Sequence, residues 1–548
     1  MSKSTDLSNI ATIAQKKAAN PFVSAWVSAS AGSGKTKVLT DRVLRLLLAG
    51  NAPETILCLT YTKAAAAEMS IRLSKSLREW IGLDDDALRT RLIQLTDEED
   101  EDVLNAQLKL ARTLFARLLD VKGGMKIMTI HGFCQSLLKR FPLEADVSPS
   151  FEVVEDTVAQ GLLNACIKKT IQNPLFNKEL YELSQFLDEA SLTEFLLHIR
   201  SYQASFENLT SHFSGLALDE QIYRNLGLEL STSADSIKRA FTEPENFDAF
   251  VDQYLTKTHT VRDKIIKKGT DEDRQTAEAL IEALDKLKSL TVAKATCALL
   301  HIVLEVLSQY TMLKNQKGLL DYTDLILKTS ALLCEKDMTA WVLYKLDGGI
   351  DHILLDEAQD SGPEQWSIIR ALSEEFFAGA GRKDDKIRTL FAVGDKKQSI
   401  YRFQGADANE FEKMRQFFKL RITASENIFE DVEMNVSFRS AQPVLDMVNL
   451  LLENKQARSG VLMADEKATH FAHRQGEAGR VEIWPLEEAP EKLEEPDPWN
   501  IADSLQAQLP AVVKISTKIA ERISNMLKNK EILESQNRPI QAGDIMIL

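Results

Sequence analysis

The chain has 548 residues, 44% of them hydrophobic, and a formal net charge of −15. That length suits roughly three or four domains, and the acidic balance argues against a protein that coats nucleic acid through a basic surface while leaving room for one that grips it in a local groove. Cys58, Cys134, Cys166, Cys297 and Cys334 are scattered without a C-x-x-C pair, which favours reduced thiols over a disulfide framework or a metal cage.

The opening stretch "MSKSTDLSNIATIAQKKAAN" has no apolar signal core, and no run of about 18 apolar residues is read further on. A cytoplasmic protein without a membrane segment is therefore expected. "SAWVSA" (24–29) reads as a buried strand. "KTKVLTDRVLRLLLAG" follows with a helical stripe of Val38, Leu39, Val43, Leu46 and Leu47, closed by Gly50. "ILCLT" (56–60) is a second strand and "KAAAAEMSIRL" a second helix. This β-α-β-α alternation predicts an α/β fold with a parallel sheet. From about 155 to 335 strand signals vanish and helical patterns such as "RQTAEALIEALDKLKSL" (274–290) dominate, so an inserted all-helical domain is expected. The α/β pattern resumes with "HILLDEAQD" (352–360) and "LFAVGD" (390–395). A second α/β unit is expected from 425, with a strand at "VEIWPL" (481–486), a helix near 511–528 and a strand at 545–548. The acidic stretches "DEED" and "EEAPEKLEEPDPW" read as solvated loops.

Two stretches carry chemistry. "ASAGSGKT" (Ala29, Ser30, Ala31, Gly32, Ser33, Gly34, Lys35, Thr36) lies between the first strand and the first helix, the context that a phosphate-binding loop requires. Small residues let backbone N–H groups close round phosphates at a helix N-terminus. Lys35 would reach the β- and γ-phosphates, and the Thr36 hydroxyl would ligate Mg²⁺. In "ILLDEAQD" a buried strand ends in two carboxylates, at the strand end where open α/β sheets bind ligands. Asp356 would hold Mg²⁺ and Glu357 would activate the attacking water. ATP and Mg²⁺ are the cofactors this pair of motifs calls for.

Taken together and in this order, "ASAGSGKT", "LTYTKAAAAEMSIRL", "DEAQDSGPEQW", "VGDKKQSIYRFQGAD" and "NVSFRS" resemble the UvrD/Rep-like superfamily 1A DNA helicases. The flanking "TIHGFCQSLLKRFPLEADV" and "RPIQAGDIMIL" are similar to the AddA-type helicase–nuclease subunits, which are related to RecB. The resemblance implies a RecA-like motor domain (1–154 and 336–424) split by a helical insertion (155–335), and the start of a second RecA-like domain (425–548). It implies that Gln15 recognises adenine, that Gln398 senses the γ-phosphate and that Arg439 reaches it across the cleft. Phe438 stands where the family stacks a tyrosine on adenine, and Lys37 where many relatives place an arginine. For DNA it implies contacts from Thr60, Tyr61, Thr62, Lys63 and His131, with Phe403 as a base-stacking platform and Gln404 in place of a common arginine.

The family's last helicase motifs and its nuclease module are not found in the sequence, so the chain is expected to correspond to the first half of such a protein. Three readings stay open. One is a 3′-to-5′ helicase or translocase that processes double-strand breaks, acting on single- and double-stranded DNA ends together with an AddB-like partner. The second is a crippled ATP- and single-strand-binding piece that needs a separate chain. The third is a stand-alone UvrD-like repair helicase.

Overall fold

A computed structural model of the chain describes residues 2–213, 216–334, 341–342, 345, 349–377, 386–399, 408–459, 461–462, 469–488 and 511–548. Six strands form one sheet: β1 (Ser24–Ala29), β2 (Ile56–Thr60), β3 (Lys126–Thr129), β4 (His352–Leu355), β5 (Thr389–Gly394) and β6 (Phe429–Met434). They run in the order β3-β2-β4-β5-β1-β6, and every pairing is parallel. The central strands are buried along nearly their whole length because helices cover both faces of a parallel sheet. Alternate residues feed two cores. Trp26, Leu57, Leu59, Ile353 and Leu355 enter one, where Trp26 stacks on Trp366 with ring centroids 5.7 Å apart. Val27, Cys58, Leu354, Phe391 and Val393 enter the other, with Val38 and Leu46 of the helix Lys35–Leu48.

The expected unit boundary at 425 is overtaken by β6, which pairs with β1 from Ser24↔Phe429 to Ala29↔Met434. Its sequence FEDVEM buries only Val432 and Met434 and turns Asp431 and Glu433 outward, as suits an edge strand with one covered face. The expected strands at 481–486 and 545–548 join no ladder among the described residues. The expected helix near 511–528 is Ala511–Lys528.

The helical insertion leaves and re-enters through a neck, where Glu152–Val153 pairs in parallel with Leu319–Leu320. The helix Tyr322–Cys334 lies beyond that neck and packs Leu325, Ile326, Leu332 and Leu333 into the first core, so the insertion ends before the expected 335. The spine of the insertion is a 47-residue helix, Asp271–Lys317, opened by a Thr270–Asp273 capping box and closed by Gly318 at φ +62°. Contrary to the sequence reading, one 18-residue window of this helix is apolar enough, at a mean hydropathy of 1.8, to match a membrane span by composition. Its apolar side is occupied by protein: Ala298, Ile302, Val303, Val306 and Tyr310 pack against Leu163, Ile167, Leu183 and Leu196.

One buried charge positions the site. Arg42 is fully buried and donates to the carbonyl oxygens of Ala18, Asn20 and Val23 at 3.0, 2.6 and 2.6 Å, and to Thr389 Oγ1 at 3.1 Å. Burial lowers its pKa to about 9, which still leaves it charged at neutral pH. It fastens the end of the helix Ser2–Ala18 to β1 and β5, and so holds Gln15 beside the loop that follows β1.

Candidate nucleotide site and adjoining groove

The chain leaves β1 at Ala29 and turns through Ser30–Gly34 into the helix Lys35–Leu48. Gly32 and Gly34 sit at φ +75° and +92°, where an L side chain is strained, and Gly34 caps the helix. The turn is gripped from two sides. On one side Gln15 is almost fully buried, donates from Nε2 to the Ser33 carbonyl at 3.1 Å and accepts from Lys37 Nζ at 3.4 Å. On the other side Phe438 N donates to the Gly32 carbonyl at 2.8 Å and Ser30 N to the Met434 carbonyl at 3.0 Å. A Cβ on Gly32 would come within 2.6 Å of Ser437 Oγ and 2.7 Å of Arg439 Cβ, so the backbone of Ser437–Arg439 lies directly against the loop.

Glu357 follows β4 and meets the loop from across the sheet: Lys35 Nζ lies 2.5 Å from Glu357 Oε2. Glu357 adopts φ +49°, ψ 43°, a left-handed conformation that costs a non-glycine residue about 1–3 kcal/mol and persists where the surroundings impose it. Burial first, and the neighbouring Glu357 charge second, push the Asp356 carboxyl up to about 6. β5 lies between β4 and β1. Its end places Gln398 between the two motifs, donating from Nε2 to Asp395 Oδ2 at 2.7 Å.

Among the described residues no set of three or more His, Cys, Asp or Glu side chains gathers as a metal cage. The donors on offer at the loop are a hydroxyl, Thr36, and the buried, like-charge-crowded carboxylate of Asp356. That sparse all-oxygen set fits Mg²⁺, which keeps waters and shares substrate phosphates, and a cation there would relieve the crowding.

A cavity of about 350 Å³ opens beside Gln15 and Ser33, walled by Ile10, Ala14, Asn435 and Phe471. Phe438, expected to face a base, has one face against His473 at 4.6 Å and is 39% exposed. Sequence reasoning misses Phe471 and His473. Phe471 opens, and His473 follows, a two-residue strand, Phe471–Ala472, that pairs with Val436–Ser437, a pattern too short to read.

Farther along the same sheet edge, Tyr61 and Lys63 after β2 and His131 after β3 line a groove of about 750 Å³. The far wall comes from the insertion, with Arg200 and Tyr202, and Tyr322 and Gly362–Gln365 close its floor. His131 meets the Tyr322 ring edge-on at 5.3 Å. Burial lowers its pKa, against an opposing pull from Asp156, which keeps the imidazole neutral at neutral pH. Thr60 and Thr62 serve the turn instead: Thr60 is buried and donates to the Thr62 carbonyl at 3.0 Å, and Thr62 Oγ1 caps the helix Lys63–Gly82 by accepting from Ala65 N at 3.1 Å. Phe403 and Gln404 lie outside the described residues. The insertion residues Arg200 and Tyr202 carry no sequence signal, because only long-range packing brings them to the groove.

Residues 11–419 match the UvrD/REP helicase N-terminal domain. The chain belongs to this helicase family. Relatives named as A-type subunits of an ATP-dependent helicase/nuclease include one from Latilactobacillus sakei, 24% identical over 611 residues that take in 95% of this chain and 63% of the relative. One from Listeria monocytogenes is 25% identical over 95% of this chain and 46% of its own length. One from Enterococcus faecalis is 26% identical over 81% and 38%. The chain thus spans between 38% and 63% of the length of these relatives. Membership in the UvrD/REP family agrees with the sheet, whose nucleotide motifs and groove share one edge.

Proposed function

We propose that this chain binds Mg²⁺·ATP on the loop Ala29–Thr36 and couples its hydrolysis to movement along single-stranded DNA held in the groove between the sheet and the helical insertion. In this reading Lys35 and Arg439 contact the phosphates, Thr36 and Asp356 hold Mg²⁺, Glu357 activates water and Gln398 senses the γ-phosphate. Gln15 and Phe438 address the adenine. The sheet with its flanking helices is motor domain 1A, the helices 156–317 are insertion 1B, and the segment after β6 begins domain 2A. By the resemblance of its motifs to the AddA-type subunits, we further propose a DNA-repair helicase working 3′ to 5′ on DNA ends from double-strand breaks, with an AddB-like partner.

The observation that carries this reading is the 2.5 Å Lys35–Glu357 contact between residues 322 positions apart, at the end of the sheet where such folds bind nucleotides. The groove is the part most open to test. Base stacking on an aromatic contributes about 1–3 kcal/mol per base whatever the sequence. Tyr61→Ala is therefore expected to weaken binding of a fluorescent oligo-dT at least about fivefold by anisotropy, and Lys63→Ala to flatten its salt dependence. Parental affinity and salt slope in both variants would rule the groove out as the DNA path.

A further inference from the structure

One buried side chain in the site has every hydrogen-bonding group committed and no role in the chemistry proposed above. Gln359 is 1% exposed. Its Nε2 donates to Glu357 Oε2 at 3.0 Å and to Asp360 Oδ2 at 3.2 Å, and its Oε1 accepts from Asp395 N at 2.9 Å. Its carbonyl accepts from Ser399 Oγ at 3.4 Å. Asp395 in turn holds the turn after β5: Oδ1 accepts from Lys397 N at 3.1 Å, and Oδ2 from Gln398 Nε2 at 2.7 Å. An unbroken chain of hydrogen bonds therefore runs from Glu357 through Gln359 and Asp395 to Gln398.

The packing is built for this contact. A Cβ on Gly394 would overlap Gln359 Oε1 and come within 3.1 Å of Gln359 N, so the last residue of β5 is a glycine where Gln359 crosses. Gln359 also sits in the short turn Ala358–Asp360, and the chain then passes through Ser361 to Gly362–Gln365 in the floor of the groove. One buried amide thus touches the carboxylate that faces the loop and the turn that carries Gln398, and the chain that holds it runs directly into the groove lining at Gly362.

We infer that Gln359 is the positioning residue that ties the orientation of Glu357 to the Asp395–Gln398 turn and to the groove floor, so that nucleotide and single-stranded DNA each change the affinity for the other. The inference rests on the function proposed above. Coupling between two sites is reciprocal and is read as a ratio of affinities, typically 5-fold or more, in which changes of basal affinity cancel. The test measures the Kd of Mg²⁺ with a non-hydrolysable imido analogue of ATP, with and without saturating oligo-dT. The parent chain is expected to show a ratio of about 5 or more. Gln359→Leu, which removes the amide at similar volume, is expected to bring it within about twofold of 1. Gly394→Ala, which pushes Gln359 away without touching either ligand, is expected to do the same, and the double variant to add nothing further, since both changes break one link. A parental ratio retained in Gln359→Leu or in Gly394→Ala overturns the inference, and so does a parental ratio of 1. No saturable nucleotide binding by the parent chain, or binding unaltered by Lys35→Ala, overturns the function reading instead.

Discussion

A chain carrying Glu357→Gln is expected to hold Mg²⁺·ATP about as tightly as the parent and to turn it over about 10²–10⁴-fold more slowly, the range that a positioned general base contributes. The substitution keeps the size of the side chain and its ability to accept from Gln359 Nε2 at 3.0 Å, so the local hydrogen bonding survives. What it removes is the carboxylate's basicity and its attraction for Lys35 Nζ, 2.5 Å away. In the function proposed above, entering phosphates would draw Lys35 to them and release Glu357 to face water, and a glutamine could not take the proton. The left-handed backbone at position 357 aims the side chain from the C-terminal end of β4 whichever of the two residues is present. Turnover within about threefold of the parent would show that Glu357 is a partner for Lys35 and nothing more.

The second large effect lies in the neck of the insertion. Lys314 is buried with its Nζ 3.1 Å from Asp321 Oδ2 and 2.6 Å from Asp324 Oδ2, and Tyr310 OH donates to Asp321 Oδ2 at 2.8 Å. The two carboxylates also take each other's backbone N–H groups at 2.9 Å. Lys314→Met keeps the length of the chain and leaves two like charges buried without their cation. Breaking a buried ion pair from one side costs about 3–5 kcal/mol. The first unfolding transition is expected to fall on the order of 10 °C, and Lys314→Met combined with Asp321→Asn and Asp324→Asn to recover much of that loss. A melting temperature within about 2 °C of the parent in Lys314→Met would mean that solvent or another charge compensates these carboxylates. Asp321 and Asp324 thus serve structure, at the junction that fixes one wall of the groove relative to the other.

What could be read from sequence follows burial and range. β1 and β2 are legible to the residue because strands covered on both faces are short runs of apolar and small residues, as in "SAWVSA" and "ILCLT". β6 is not, because FEDVEM is half acidic and its partner is β1, four hundred residues earlier. The loop "ASAGSGKT" and "DEAQD" stand out because each motif is local, whereas their meeting across the sheet is visible only in the fold. Gln15 stands out in the sequence only through the family resemblance, and its contact with Ser33 depends on the Arg42 clasp. Phe471, His473, Arg200 and Tyr202 have no periodic context to mark them. The apolar 481–486 and 545–548 look like strands by composition, yet Ile483, Leu486 and Ile547 stay exposed. Apolar pattern predicts a strand only where a neighbour completes the ladder.

The proposed function requires that the loop Ala29–Thr36 hold nucleotide phosphates through Lys35. Equilibrium titration of Mg²⁺ with a fluorescent ATP analogue, on the parent chain and on Lys35→Ala, tests this most directly. A charge-assisted contact of about 1.5–3 kcal/mol predicts saturable binding in the parent, weakened about 10- to 100-fold in Lys35→Ala. Equal affinity in the two proteins would contradict it.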